Sequence, residues 1–148
     1  MAHLLFLLHV GSTLYMMGLI WFVQVVHYPL HAHVGSEHLS NYQKLHMKWT
    51  SLVVGPPMLI EMGTAMLFLI APPLDLPFWC FGVGMAFLVV IWGSTARFQM
   101  PYHNQLLTKF DEDIQQKLVK SNWIRTIFWT LRGLLALYTT YLLLKQVP

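Results

Sequence analysis

The chain has 148 residues, of which 56% are hydrophobic and 10% charged, with a formal net charge of +3. Soluble domains carry about 25% charged residues, so a water-soluble fold is excluded, and a chain of this length is expected to form one domain. The single cysteine, Cys80, excludes an intrachain disulfide, a cysteine zinc cluster and a CxxC redox pair.

Residues Leu4 to Val26 contain no Asp, Glu, Lys or Arg. The stretch is too long for a signal-peptide core and lacks both a basic start and a small-residue cleavage site, so it is expected as a retained helix. This first helix covers about residues 4–27, with Tyr28-Pro29 ending it. A long loop follows. The second span, about 49–71, has Glu61 as its one charge, and Pro72-Pro73 closes it. Gly55-Pro56-Pro57 inside it removes backbone donors and is expected to bend the helix and make room for a ligand. After a tight turn at Pro72 to Pro77, the third span covers about 78–99 and meets Arg97 only near its end. The second long loop, 99–122, holds Phe110, Ile114 and Leu118 four apart among charged residues, which predicts a short interfacial helix over about 108–120. The fourth span, about 123–145, carries Arg125 and Arg132, and these must face protein because lipid does not tolerate them. The expected fold is all-α, a four-transmembrane-helix bundle with one short interfacial helix, in a single transmembrane domain.

Charge sets the orientation. Lys44, Lys48, Arg97, Lys109, Lys117, Lys120 and Arg125 belong to the long-loop face, against Lys145 alone on the other. The positive-inside rule then makes the long loops cytoplasmic and puts both termini on the opposite side. This asymmetry accounts for the positive charge without a nucleic-acid partner. Trp49 and Trp123 fit an interfacial aromatic belt.

Helical spacing predicts a polar interior. Asn122, Arg125, Trp129, Arg132 and Ala136 form one stripe on the fourth helix, and His9, Thr13, Met16, Ile20, Gln24 and His27 form one on the first. The third helix adds Trp92, Thr95 and Gln99, with His103 in register if the helix passes Pro101. Glu61 and Arg132 fall ~18 Å and ~14 Å from the same membrane edge at the helical rise per residue, so they are expected to pair. Glu61, Arg132, Arg125 and Asn122 are the candidate catalytic residues. Gln24, Gln99 and Trp129 are candidates for lining a cofactor, although buried tryptophans more commonly pack, as Trp21 and Trp92 are expected to do.

His27, His46 and His103 approach one boundary from three helices and are the candidate metal ligands, with iron or copper the expected metal because imidazole suits both. His3, His31, His33 and His38 are expected to serve as interfacial hydrogen-bonding anchors. Neither HExxH nor a pair of ExxH motifs occurs, so spacing does not specify the metal. The nine methionines show no clustered copper motif and read as core filler. Glu61 and His46 are fifteen residues apart, about 22 Å along a straight helix, too far for one compact site.

The layout of the chain, the run Asn122-Trp123-Ile124-Arg125-Thr126 with Trp129 and Arg132, and Gln99-Met100-Pro101-Tyr102-His103-Asn104 before it resemble small four-helix membrane proteins similar to the anthrone oxygenase-like family. The resemblance implies a membrane oxygenase acting on a lipophilic, aromatic substrate. The first helix, with His9 and Trp21, also looks like that of haem-binding membrane protoporphyrinogen oxidases, but the basic residue expected later in that helix is missing, and haem is the second choice of cofactor. Four functions follow: a metal-dependent oxidoreductase on a lipophilic substrate, a metal-free acid–base isomerase of a lipid, a proton or anion path, for which a homo-oligomer would supply more walls, and a structural subunit of a membrane complex.

Overall fold

In the computed structural model of the chain, the first helix does not end at Tyr28-Pro29. The structure describes residues 1–31, 33–34, 36–108 and 111–146; for Ser36, Glu37 and Ser40 it describes the backbone alone. Helix α1 spans Ala2–His31, α2 Ser36–Ile70, α3 Phe78–Leu106 and α4 Glu112–Leu144. All four are long and apolar enough to cross a membrane, as expected for a multi-pass integral membrane protein. At 1.5 Å per residue α4 is ~50 Å long, against a hydrocarbon core of ~30 Å, so it reaches well beyond that layer.

The extra length corrects the sequence reading in three places. α2 begins at Ser36, so most of the expected first loop is helix. The expected interfacial helix is the first part of α4, opened by Asp111, whose side chain accepts from the Ile114 amide, and by Glu112 and Asp113 in the first turn. Lys109 and Phe110 of that reading lie outside the described residues. Third, α1 and α3 pass through Pro29 and Pro101.

Both prolines are accommodated by the same device. Val23–His27 and Thr95–Gln99 are π-helical turns, closed by the Tyr28 amide on the Val23 carbonyl and by the Met100 amide on the Thr95 carbonyl. Each turn ends two residues before a proline. A proline has no amide hydrogen and its ring crowds the carbonyl four residues back. The wider turn moves that carbonyl outward and lets the helix continue. α2 runs without interruption through Pro56 and Pro57, and Gly55 before them lines a cavity.

The helices form a ring in which α1 packs on α2 and α4, and α3 packs on the same two. α2 and α4 therefore lie on a diagonal, and long side chains join them. Large apolar residues such as Leu7, Leu59, Val89 and Leu134 face outward, whereas Thr13, Glu61, Asn122, Arg125 and Arg132 are buried. This polarity, apolar outside and polar inside, suits lipid as the solvent. The interior is layered. Phe6, Phe68, Leu76 and Phe81 fill the end that holds the 72–77 turn and both termini. Met16, Ile20, Met58, Leu88, Ile91 and Trp129 fill the middle. Tyr28, Leu106 and Leu118 fill the far end.

Close approach of α1 to α4 depends on Gly133, where an added Cβ would strike the Met17 side chain. Gly133→Val is expected to cost about 1–3 kcal/mol of stability in detergent unfolding titrations. Gly82→Ala, where nothing lies within 4 Å of an added Cβ, should leave it unchanged.

Candidate functional site

The interior polar residues form two groups. The first is centred on Glu61, which is fully buried in the middle of α2. Its carboxylate accepts from Thr13 Oγ1 at 2.8 Å on α1, and from Trp129 Nε1 at 3.0 Å and Arg132 Nε at 3.1 Å on α4. Arg132 Nη1 donates in turn to the Gly84 carbonyl of α3. One ion pair thus touches all four helices. The expected Glu61–Arg132 pairing is present, and its partners show why both charges are tolerated at this depth: the carboxylate is saturated by donors. Arg132 Nη2 has no protein partner. Arg132 and His9 line a cavity of about 20 Å³, enough for one water molecule, and His9 Nδ1 lies 2.8 Å from Thr64 Oγ1.

The second group lies at the lysine-rich end, around a cavity of about 490 Å³ between α1, α2, α3 and α4. Met16, Leu19, Ile20, Val53 and Val54 form its apolar walls, and Phe22, Trp49, Val53 and Met100 at its rim are exposed on the bundle surface. Its polar end carries His27, Tyr28, His46, Thr50, Gln99, His103 and Arg125. Both π turns contribute, through Val23 and His27 on one and Thr95 and Gln99 on the other.

The three histidines expected to meet do so. The His27 and His46 rings stack at 4.6 Å, and His46 and His103 lie 5.2 Å apart. His31, expected to be an interfacial anchor, joins them, 6.0 Å from His46 and fully buried. Five of their eight nitrogens are engaged with one another and with neighbouring side chains, and the buried His31 Nδ1 has no protein partner. His27 Nε2 lies 3.1 Å from His46 Nδ1, which is also 3.1 Å from Thr50 Oγ1. Gln43 accepts from His31 Nε2 at 2.7 Å and donates to His103 Nδ1 at 2.8 Å, while His103 Nε2 lies 3.1 Å from the Tyr28 hydroxyl. Among the described residues no group of three or more His, Cys, Asp or Glu side chains is placed to hold one metal ion. The expected three-histidine metal site is therefore not formed in this arrangement: His27 Nε2, His46 Nδ1 and both His103 nitrogens face other side chains.

Two assignments of protons fit the His27–His46 contact: a proton on His46 Nδ1, shared between His27 Nε2 and Thr50 Oγ1, makes His46 Nε2 the free base and His27 Nδ1–H the free acid, and a proton on His27 Nε2 does the reverse. In the second, with a proton on Nε2 of each ring, His27 donates to His46, His31 donates to Gln43, and His103 donates to Tyr28. His27 Nδ1 is then a free base, His46 Nε2–H a free acid, and the Tyr28 hydroxyl proton a free donor.

The remaining sequence candidates divide by role. Asn122 donates to Gln24 at 2.8 Å and accepts from Arg125 Nη1 at 3.3 Å. Gln24 also donates to the Val119 carbonyl, so Gln24 and Asn122 bind each other and do not line the cavity. Gln99 lines it while bonded to Ser94 and Ser121. Trp129 is fully buried between the two groups, donating to Glu61 with the Arg125 guanidinium 5.1 Å from its ring. Trp21 packs edge-on against Trp123.

Tyr28, His31, Gln43 and Thr50 were not among the expected site residues. The signal was there, since Gln43, His46 and Thr50 follow three- and four-residue spacing, but it is visible only once 36–48 is recognised as helix. No family model, curated protein or solved structure matches the chain.

Removing one member of the central pair leaves a buried charge alone, which typically costs 3–5 kcal/mol. Arg132→Leu is expected to lose that much in a detergent unfolding titration, and the Glu61→Leu/Arg132→Leu double variant should recover most of it. Strictly additive losses would show that the pair does not act as a unit.

Proposed function

We propose that this chain is a membrane-embedded enzyme that receives a lipophilic small molecule from the bilayer into the 490 Å³ cavity and shifts a proton on it, with His27 as base and His46 as acid. One observation carries this reading: an apolar cavity with an exposed apolar rim ends on two imidazoles joined nitrogen to nitrogen at 3.1 Å, so that the free nitrogen of one is a base when that of the other is an acid.

The chemistry follows from the shared hydrogen bond. His27 Nδ1 takes a proton from an activated carbon of the substrate, and the Nε2 proton of His27 moves 3.1 Å to His46 Nδ1. His46 Nε2 then delivers its own proton to another atom of the same substrate, and Thr50 can receive the new Nδ1–H in the meantime. One proton leaves and one arrives, so the product is an isomer and the pair ends neutral with its protons on His27 Nδ1 and His46 Nδ1; exchange with water between turnovers returns both rings to the starting tautomer. The chain from His31 through Gln43 and His103 to Tyr28 holds the Tyr28 hydroxyl as a donor beside the cavity. Positioned acid–base groups of this kind contribute about 10²–10⁴-fold in rate.

An oxygenase, as the resemblance implies, would share the first step, because carbon deprotonation gives the electron-rich anion that reacts with dioxygen. A proton or anion path is less well supported, since the Met16, Ile20, Leu88 and Ile91 layer stands between the two polar groups. By the positive-inside rule the imidazoles face the cytoplasmic side, with Lys44, Lys48, Lys117 and Lys120.

The test uses the protein in nanodiscs with a lipid extract in heavy water, read by mass spectrometry. Deuterium should enter a lipophilic component, survive chelators, and fall at least ~100-fold with His27→Ala or His46→Ala. Label that persists in both variants would overturn the proposal. Dioxygen uptake that depends on the same histidines would move the reaction from isomerisation to oxygenation, and loss of activity on chelation would restore a metal.

A further inference from the structure

The two arginines of α4 are both buried, yet they are served differently. Arg132 is paired with Glu61. Arg125, seven residues earlier on the same stripe, has no carboxylate partner among the described residues. Its Nη1 donates to the neutral Asn122 amide at 3.3 Å, its guanidinium lies over Trp129 and is hydrogen-bonded to the Tyr28 hydroxyl, which is neutral as well, and its Nε has no partner. The other described carboxylates are elsewhere: Asp75 lies in the turn at the opposite end, and Asp111, Glu112 and Asp113 begin α4, exposed and at least twelve residues before Arg125. Arg125 also lines the polar end of the cavity.

We infer that the molecule held in this cavity carries an oxyanion, a carboxylate or a phosphate, at the end of its apolar body, and that Arg125 binds it. The inference rests on the reading of the cavity as a lipophile site. A neutral head group would be served by Tyr28 and the imidazoles alone, and would leave the guanidinium without a counter-charge. A guanidinium presents parallel donors that match the two oxygens of a carboxylate or phosphate. The apolar walls take the chain of the ligand, and the fork takes its charged end. The substrate class is therefore an acidic lipophile, and the proton shift occurs on carbon within reach of His27 while the anionic end is held by Arg125.

The experiment measures binding of a fluorescent polyene fatty acid and of its methyl ester to the protein in phosphatidylcholine nanodiscs, with dodecanoate, dodecyl phosphate and dodecanol as displacers. The acid is expected to bind at least about tenfold more tightly than the ester. Arg125→Gln should bring the acid down to the affinity of the ester without weakening the ester, and Arg125→Lys should keep part of the difference. Displacement by either anionic amphiphile but not by dodecanol supports the inference, and the stronger displacer distinguishes a free acid from a phosphate head group. Equal binding of acid and ester to the unaltered protein overturns the inference alone. Binding of neither overturns it together with the lipophile reading of the cavity. If Arg125→Gln does not fold, the acid–ester comparison and Arg125→Lys decide.

Discussion

Everything else in this bundle is arranged around a carboxylate in a place where carboxylates are expensive. Glu61 is the one acidic residue within the apolar stretches 4–27, 49–71, 78–99 and 123–145, and its oxygens take donors from Thr13, Trp129 and Arg132. Through Arg132 and the Gly84 carbonyl, the same network reaches α3. Helix faces of leucine and valine give little preference for one rotation over another when lipid is as apolar as they are. A buried pair that is satisfied in one arrangement supplies that preference. It sets the rotation of α2 and α4 across the diagonal of the ring, and with it the direction in which Arg125, one stripe position away, must point.

In the central apolar layer, Met16, Ile20, Leu88 and Ile91 lie between the ion pair and the polar end of the cavity. Trp129 is the one fully buried ring in that layer to touch both groups, with its indole N–H on Glu61 and the Arg125 guanidinium over its face.

How much of this was legible in the sequence depends on the residue. The spans, the tight turn, the Glu61–Arg132 pair and the meeting of His27, His46 and His103 follow from hydropathy and a period of 3.6, because lipid leaves polar side chains only one direction to face. The helix ends did not follow. Tyr28-Pro29 and Pro101 read as breaks because a proline ordinarily ends a helix, and a π turn before each one has no marker in composition. That misreading turned 27–48 and 99–122 into loops, hid the face shared by Gln43, His46 and Thr50, and left His31 among the anchors. The metal expectation had a different origin: density of histidines says that rings will be near one another, but not whether their nitrogens aim at a common point or at each other.

The rim of the cavity has a consequence for how any occupant is met. Phe22, Trp49, Val53 and Met100 open the site sideways on the bundle surface, and Trp49 is one of the two tryptophans expected at the edge of the hydrocarbon. A lipophilic occupant of the proposed kind entering there would not cross bulk water, and its encounter would be a search in two dimensions. Occupancy would then be governed by the mole fraction of the ligand among surrounding lipids, and membrane composition would set the working affinity as much as the protein does.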